Sequence, residues 1–231
     1  MRKTQCVNFV THLECADCGK HYPAGQLHNL CTDCHRPLWV RYDLGQLRDC
    51  FPRELLAGRP SDLWRYRELL PYVDAANVVS LGETATPILP ASRLGAELGL
   101  ANLQIKDESR LPTGSFKARG MAMAITMANE FGIRRVACPT AGNAGGAMAA
   151  YASRAGMESF VFMPDDTPVI NLKETHLAGA GFLDAANRPQ GGTLARPVGA
   201  DQRDDFALVY LNRDAVQGLD LAVVGMNVFQ Y

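Results

Sequence analysis

The hydrophobic pattern becomes regular from residue 101 onward, where short apolar runs alternate with longer segments rich in alanine and methionine. The short runs have the length and composition of strands, and they are "NLQIK" (102–106), "IRRVACP" (133–139) and "ESFVFMP" (158–164). The longer runs favour helices, and they are "SFKARGMAMAITMANEFG" (115–132), "NAGGAMAAYASRAG" (143–156) and "PVINLKETHLAGA" (168–180). This alternation predicts an α/β fold in which a parallel sheet is covered by helices.

Residues typical of helix ends mark the boundaries of these helices. The predicted boundaries are Thr113 or Ser115 and Gly132 for the first helix, Asn143 as N-cap and Gly156 for the second, and Pro168 near the first turn of the third. In open parallel sheets, ligands bind beyond the carboxyl ends of the strands, where the helices begin. The loops "DESRLPTGSFK" and "PTAGNAGG" lie at such positions and are the candidate site.

The chain divides into four predicted segments. Residues 10–42 form a small cysteine-rich module, residues 43–80 a helical connector, residues 81–184 the α/β lobe and residues 185–231 a divergent tail. The connector contains "RELLAGRPSDLWRYRELLPYV", whose helical pattern is interrupted by Gly58 and Pro60. The tail contains "DDFALVYLNRDAVQGLDLAVVGMNVFQY", which has the pattern of a strand, a turn and another strand.

Composition and charge narrow the class of protein. The 231 residues are 47% hydrophobic and 20% charged, which is ordinary for a globular chain and argues against disorder. A formal net charge of -1 provides no broad basic field for nucleic acid. We find neither a secretory signal nor an apolar run of about 18 residues that could span a membrane. A cytoplasmic protein without nucleic-acid or membrane partners is therefore expected, and a homodimer is compatible with the sequence.

Two CxxC pairs dominate the N-terminal module, namely Cys15, Cys18, Cys31 and Cys34 in "CADC" and "CTDC". Each pair can coordinate one metal ion from a tight turn, and two such turns complete a tetrahedral set of four ligands. The spacing therefore favours a zinc ribbon. The alternatives are a disulfide, a redox CxxC pair and iron in a rubredoxin-like site. Four thiolates leave no open position for a substrate, so the role of the metal would be structural. The nearby histidines are therefore predicted to be surface residues; they are His12, His21, His28 and His35.

A single lysine stands out in "LPTGSFKARG". Lys117 is predicted in the first turn of a helix, where the helix dipole and partial burial both disfavour a positive charge. Both effects favour the neutral amine, which is the form that attacks an aldehyde to form a Schiff base. Phe116 beside it offers a flat face to a ring. The alternative is a solvated lysine at a helix end, and for a lone lysine that interpretation is the better one.

Several segments together resemble the pyridoxal phosphate (PLP) dependent family of threonine synthases and serine/threonine dehydratases. "DESRLPTGSFKARG" resembles the lysine-attachment segment of the family, and "LGETATPILP" resembles its LGE-x-TP segment. "PTAGNAGGAMAAYASRAGM" looks like its cofactor loop and the following helix, and "FMPDDTPVINLKETHLAGA" like the next strand and helix. The double CxxC resembles the ribbon of one branch of threonine synthases. The resemblance covers about residues 10–180 and implies a partial tryptophan-synthase-beta-like fold with an N-terminal zinc ribbon.

The resemblance also implies roles for particular residues. Lys117 would hold PLP covalently and then act as general base, with Phe116 packed near the pyridine ring. Asn143 would hydrogen-bond the ring hydroxyl, although a helix cap alone also explains an asparagine there. The cofactor loop would be shaped by Thr140, Gly142 and Gly145. The implied reaction is that of a lyase converting O-phospho-L-homoserine to L-threonine and phosphate, with PLP as electron sink.

The sequence also departs from the family pattern. Ala144 stands where threonine synthases often carry a hydroxyl residue, which leaves a serine/threonine dehydratase-like lyase as an alternative. We find neither the family's glycine-rich phosphate loop nor its Ser or Thr against the pyridine nitrogen, and "QGGTLARP" is predicted to be a surface loop. We therefore expect an incomplete or divergent chain that is a weak or inactive enzyme. A non-catalytic zinc-ribbon protein built on a remnant PLP lobe is the third interpretation.

Overall fold

The computed structural model describes residues 8–164, 166–182 and 222–223. The N-terminal module is an antiparallel sheet of β1 (Val10–Cys15), β2 (His21–Tyr22) and β3 (Leu38–Tyr42), in the order β2-β1-β3. Because successive side chains of a strand point to opposite faces, β1 directs Leu13 and Cys15 to one face, where they pack with Tyr22 and Cys31. That face is the small core of the module, and the opposite face of β1 carries polar side chains.

The connector is helical but contains little α-helix. Its elements are α1 (Leu44–Cys50) and three 3-10 helices (Arg53–Leu56, Leu63–Leu69 and Ala75–Asn77). Gly58 and Pro60 lie between the first two 3-10 helices, where the sequence predicts an interruption. Both guanidinium nitrogens of Arg59 donate to the buried Glu68 carboxylate at 2.7 and 2.6 Å. Phe9 N donates to the Glu68 carbonyl at 3.3 Å, so the N-terminal module is joined to the connector.

The segment predicted as the first strand of the parallel sheet lies elsewhere. Within "NLQIK", β5 (Gln104–Lys106) pairs antiparallel with β4 (Ile88–Pro90) as a separate two-stranded sheet. The helix α2 (Ser92–Leu98) connects the two strands along the chain. All three residues of β5 are exposed. A strand inside a helix-covered parallel sheet must be apolar on both faces. This segment is too polar for that position, so assigning it to the parallel sheet was wrong.

The rest of the predicted alternation of strands and helices forms the expected parallel sheet covered by helices. The parallel sheet contains β6 (Arg135–Pro139), β7 (Glu158–Phe162), β8 (Gly181–Phe182) and β9 (Ala222–Val223), in the order β8-β7-β6-β9. Its helices are α3 (Lys117–Glu130), α4 (Asn143–Arg154) and α5 (Val169–Leu177). The main core lies between α3, α4 and the sheet, and contains Met121, Ile125, Met148, Tyr151 and Val161. The parallel pairing of β6 with β7, the two strands predicted at 133–139 and 158–164, is thus confirmed, and β8 is a further parallel strand that the sequence did not predict. Most of the predicted tail, including "QGGTLARP", lies outside the described residues.

Two predicted helix starts need correction. The helix α3 begins at Lys117, because Thr113 lies in a preceding 3-10 turn with a left-handed φ of 64°. The N-cap of α4 is Gly142, and Asn143 is already its first helical residue, so the prediction of an Asn143 cap was wrong. The predicted C-terminal glycines are correct, since Gly132 and Gly156 adopt positive φ values of 71° and 66°.

None of the helices in the described part of the chain combines the length and the apolar character that crossing a membrane requires.

Candidate active site and cysteine cluster

Lys117 lies at the N-terminus of α3, close to the carboxyl end of β6. Its side chain is partly buried, and this burial lowers the pKa of the amine, against an opposing interaction with Cys138. Burial raises the pKa of the Cys138 thiol to about 11, so this thiol stays protonated near neutral pH. The position at the helix start and the lowered pKa agree with what the sequence predicts for Lys117.

Phe116 presents an aromatic ring beside this amine. Lys117 Nζ lies 4.3 Å from the centroid of the Phe116 ring. The Phe116 side chain is 60% exposed, which is unusual for a large apolar side chain next to a core helix. An exposed ring next to a partly buried amine is suited to pack against a flat ligand.

The turn before Lys117 holds two unsatisfied hydroxyls. Thr113 Oγ1 and Ser115 Oγ are buried and have no hydrogen-bond partner in the structure. Thr113 also adopts the left-handed conformation, which is uncommon for a β-branched residue. Buried polar groups are normally paired, and unpaired ones cluster at functional sites. The two hydroxyls are therefore suited to an oxygen-rich ligand. The sequence shows them only as part of the "PTGS" run and predicts no contact for them.

The second predicted loop, "PTAGNAGG" (139–146), is held by a hydrogen bond to β7 and by a hydrogen bond within the loop. Thr140 N donates to the Phe162 carbonyl at 2.9 Å, and Gly142 N donates to Thr140 Oγ1 at 3.1 Å. Asn143 is exposed, and within the described residues its side chain makes no hydrogen bond. The side chain of Asn143 is therefore available to a ligand, since it does not cap the helix.

Gly145 and Ala144 lie inside the fold. A Cβ atom on Gly145 would stand 2.9 Å from both Met163 Cε and Thr140 Cγ2, so glycine is needed for the close approach of α4 to the sheet. Ala144 is only 4% exposed and packs in the main core. The alanine that replaces the family's hydroxyl residue therefore serves packing in this chain.

An ion pair that the sequence analysis missed joins three of the motif segments. Arg119 Nε and Nη2 donate to Glu108 at 2.7 and 3.1 Å. The Thr86 hydroxyl also donates to Glu108. These contacts, led by the Arg119 hydrogen bonds, lower the pKa of Glu108 to about 2. The segments "LGETATP", "DESR" and "KARG" are thereby tied together around the start of α3.

A second set of contacts that the sequence did not reveal explains the presence of glutamate in "LGE". The Glu83 carboxylate is fully buried and accepts hydrogen bonds from Ser80 Oγ at 2.6 Å, Leu81 N at 2.8 Å and Trp64 Nε1 at 3.1 Å. The Tyr151 hydroxyl of α4 donates to it as well. Burial alone would raise the pKa of Glu83, but these donors outweigh it and hold the pKa below its ordinary value.

The four predicted cysteine ligands come together in the N-terminal module. Their Sγ atoms all lie within 4.8 Å of one another, and Cys15 and Cys31 are buried. The closest pairs are Cys15–Cys34 at 3.3 Å and Cys18–Cys31 at 3.5 Å. None of these thiols is in a disulfide. The cluster therefore has the ligand set and the proximity that a tetrahedral thiolate site requires.

The two cysteine turns have matching backbones. Gly19 N donates to the Cys15 carbonyl at 3.2 Å, and His35 N donates to the Cys31 carbonyl at 3.0 Å. Gly19 and His35 both adopt a left-handed φ, of 73° and 57°. Each turn therefore closes in the same way and directs both of its thiols to the same point.

Comparison with known proteins gives a family match and several relatives. Residues 79–213 match the family described as pyridoxal-phosphate dependent enzyme. This match continues past residue 180, where the resemblance read from the motifs ends. The threonine synthase of Methanocaldococcus jannaschii is 39% identical over 151 residues, which are 65% of this chain and 37% of that protein. The threonine synthase of Methanosarcina acetivorans is 35% identical over 153 residues, or 66% of this chain and 37% of that protein.

The chain thus spans 37% of the length of each of these two relatives. Among solved structures, a pyridoxal 5'-phosphate-dependent aspartate racemase is 29% identical, with a TM-score of 0.42, covering 46% of this chain and 33% of its own.

Proposed function

Because the chain belongs to the family of pyridoxal-phosphate dependent enzymes, we propose that its α/β lobe holds PLP at Lys117 as part of a threonine synthase-like lyase. The proposal rests on the surroundings of the Lys117 amine. Lys117 is partly buried with a lowered pKa, and it follows two buried hydroxyls, of Thr113 and Ser115, that have no hydrogen-bond partner.

The donor set around Lys117 fits the cofactor. The neutral amine that the lowered pKa favours can bond to the aldehyde carbon of PLP. Phe116 offers the exposed face against which the ring would pack. The Thr113 and Ser115 hydroxyls can donate to its anionic oxygens, and the Asn143 amide can hydrogen-bond its ring hydroxyl. In the proposed arrangement, Thr140 and Gly142 hold the loop that carries Asn143, and Gly145 lets this loop approach the sheet.

The chemistry of the bound cofactor is that of an electron sink for a carbanion at the substrate α-carbon. The part of Lys117 is to bind the cofactor and, once the substrate amine has displaced it, to carry protons as a general base. The proposed substrate is O-phospho-L-homoserine, which with water gives L-threonine and phosphate. This assignment rests on the family motifs and on the named relatives.

One observation favours a second candidate function. Ala144 is buried in the core and cannot offer a hydroxyl to a substrate phosphate. A serine/threonine dehydratase-like lyase would not need such a contact. The two candidates differ in their products, which are threonine and phosphate for the first, and ammonia and a 2-oxo acid for the second.

We propose further that the four cysteines hold one structural zinc ion. Two buried and two more accessible thiols converge from matching turns, and Asp17 N and Cys18 N lie 3.5 and 3.4 Å from Cys15 Sγ, where they can donate to a thiolate. Iron in the same site is the competing assignment. The cytoplasmic location, the homodimer and the absence of nucleic-acid and membrane partners stay predictions.

The test of the cofactor site is covalent labelling. PLP is added to the purified chain, the visible absorption is recorded, the adduct is reduced with borohydride and the labelled peptide is mapped. Labelling should be close to one per chain and confined to Lys117, and it should be lost in Lys117→Ala. Lys173 is exposed on α5, so Lys173→Ala is the matched control and should label normally. Labelling spread over surface lysines and unchanged in Lys117→Ala would contradict the site.

Product analysis then separates the two candidate reactions. Phosphate and threonine formed from O-phospho-L-homoserine would support the first, and ammonia with a 2-oxo acid formed from threonine would support the second. Lys117→Ala should abolish either activity. Product formation that persists in Lys117→Ala would exclude the proposed role of Lys117.

A further inference from the structure

The outer face of the N-terminal sheet carries a second group of metal-ligand side chains, made of His12, Glu14 and His21. We propose that these three residues bind a divalent cation such as Zn²⁺, in a site separate from the four cysteines. Both histidines are predicted to lie at the surface; His21 is exposed, whereas His12 is partly buried.

Strand register brings the three side chains to one place. His12 and Glu14 are two residues apart on β1 and therefore project from the same face. Glu14 is paired directly across the ladder with His21 of β2. Cys15, on the same strand, points to the opposite face and to the cysteine cluster. The two candidate metal sites therefore lie on opposite faces of one small sheet.

The distances fit shared coordination better than direct hydrogen bonds. His12 Nε2 and His21 Nε2 lie 3.7 and 3.6 Å from the same oxygen, Glu14 Oε2. A separation of about 3.6 Å is too long for a hydrogen bond. Ligands about 2.0–2.2 Å from a tetrahedral zinc ion are separated by roughly 3.4 Å. All three ligand atoms lie within 4.8 Å of one another, so a single ion can reach them with small side-chain shifts.

Hydrogen bonding indicates the tautomer of His12. The Thr11 hydroxyl donates its one proton to the Arg41 carbonyl at 3.2 Å. With the hydroxyl in this orientation it accepts from His12 Nδ1, which lies 2.8 Å away and carries the proton in one of the two neutral tautomers. In the neutral ring, this leaves a lone pair on His12 Nε2, an atom that is buried and has no hydrogen-bond partner. An imidazole lone pair that faces a carboxylate oxygen is repelled by it unless a cation lies between them.

The surroundings supply the outer contacts that metal ligands commonly have. Arg41 Nη2 donates to Glu14 Oε1 at 2.6 Å, which fixes the carboxylate and leaves Oε2 for the ion. The Thr11 contact orients the His12 ring in the same way. Two imidazoles and one carboxylate leave a fourth position for water, and imidazole ligands suit zinc and neighbouring transition metals. The site thus differs in chemistry from the closed cysteine cluster.

The proposal is tested by metal stoichiometry on the full chain, kept reduced, with Zn²⁺ and with Co²⁺ as a spectroscopic probe. Wild-type protein should bind two equivalents. One should give the thiolate-to-cobalt charge-transfer band, and the other only weak visible bands. His21→Ala and Glu14→Gln should each lose the second equivalent and keep the charge-transfer band, which also shows that the module is folded. Thr11→Val should weaken the second site by about 10- to 100-fold.

The matched control is His28→Ala, because His28 lies in the same module but outside the cluster, with Nε2 3.0 Å from the Pro23 carbonyl. This variant should keep both equivalents. A wild-type chain that binds a single equivalent, with the charge-transfer band, would overturn the proposal. So would a second equivalent that persists in both His21→Ala and Glu14→Gln.

Discussion

Arg119 donates through Nε and Nη2 to the Glu108 carboxylate, at 2.7 and 3.1 Å, two residues after the lysine at the start of α3. The Arg119 and Glu108 side chains are 28% and 23% exposed, so this pair is better shielded from water than a surface pair. Arg119 Nη2 also donates to the Thr84 carbonyl at 3.4 Å. The pair therefore fixes the direction in which α3 leaves the loop, and with it the direction of Lys117.

Removing the arginine should weaken the fold. Arg119→Ala leaves Glu108 with fewer donors in a partly buried position, and we expect the free energy of unfolding to fall by about 2–3 kcal/mol. Urea denaturation measures this free energy of unfolding. Arg93→Ala is the control, because Arg93 is 95% exposed in its i,i+4 pair with Glu97, and it should change stability by no more than about 0.5 kcal/mol. Equal effects in the two variants would contradict a structural role for the Arg119 pair.

The same pair should give stability a particular pH dependence. The pKa of Glu108 is lowered in the fold from its ordinary 4.5 to about 2. A carboxyl group whose pKa is lowered in the folded state stabilises the fold at pH values above its ordinary pKa. This contribution is lost as the pH falls from 4.5 to 2. The difference in unfolding free energy between wild type and Glu108→Gln should therefore shrink between pH 5 and pH 3. A difference that is constant with pH would show that ionisation of Glu108 has no part in it.

Tyr151→Phe should destabilise the lobe by about 1–3 kcal/mol, because a buried carboxylate loses one of its donors. Ser80, Leu81 and Trp64 still donate to Glu83 in this variant, so the fold should survive. Thermal unfolding is the measurement. Tyr66→Phe is the matched control, since Tyr66 is 40% exposed, and it should have little effect.

Two adjacent glycines of α4 should respond differently to substitution by alanine. The Cβ atom of Gly145→Ala would meet Met163, Thr140 and Val161 side chains at 2.9–3.0 Å, with core on every side, so we expect a loss of about 1–3 kcal/mol. The Cβ atom of Gly146→Ala would meet the Glu174 carboxyl group at 2.7–2.8 Å, at the movable end of a flexible side chain. Alanine favours a helix by about 1 kcal/mol over glycine, so Gly146→Ala should be near neutral. Chemical denaturation of both variants tests the contrast.

Removing metal should affect the N-terminal module first. If the cysteines hold zinc, chelation should increase amide hydrogen exchange in residues 10–42 well before it does so in α3 and α4, because metal binding supplies much of the folding free energy of so small a module. Cys31→Ser should act like the chelator. Cys50→Ser, outside the cluster, should keep the metal and the slow exchange. Uniform exchange across the chain after chelation would argue against a structural metal.

The features that the sequence predicts well depend on neighbours along the chain. The period of apolar residues is enough to identify α3, β6, α4 and β7, since each element buries its own apolar face. The spacing within two CxxC turns is likewise enough to bring Cys15 and Cys31 into one cluster. Lys117 is found in the same way, by its position just after "PTGSF".

Some features were missed because they depend on partners far along the chain, and others were wrong for local reasons. Nothing near Glu83 in sequence indicates that Tyr151 donates to it, 68 residues away. Asn143 has the right residue type for a cap, but the adjacent Gly142 takes that position and the helix begins at Asn143. The strand in "NLQIK" has the right length, but it is too polar for a sheet covered on both faces, and it pairs with β4 instead.

The buried Glu83 carboxylate also sets which parts of the chain open together. Its donors come from the connector at Trp64, from the segment at Ser80 and Leu81, and from α4 at Tyr151. Detaching the connector would remove the Trp64 and Ser80 donors from a charge that stays inside the protein, and would leave it only Leu81 N and the Tyr151 hydroxyl. The unit of cooperative unfolding should therefore cross the predicted boundary at residue 80, and a fragment cut there would carry a carboxylate with half of these donors in its core.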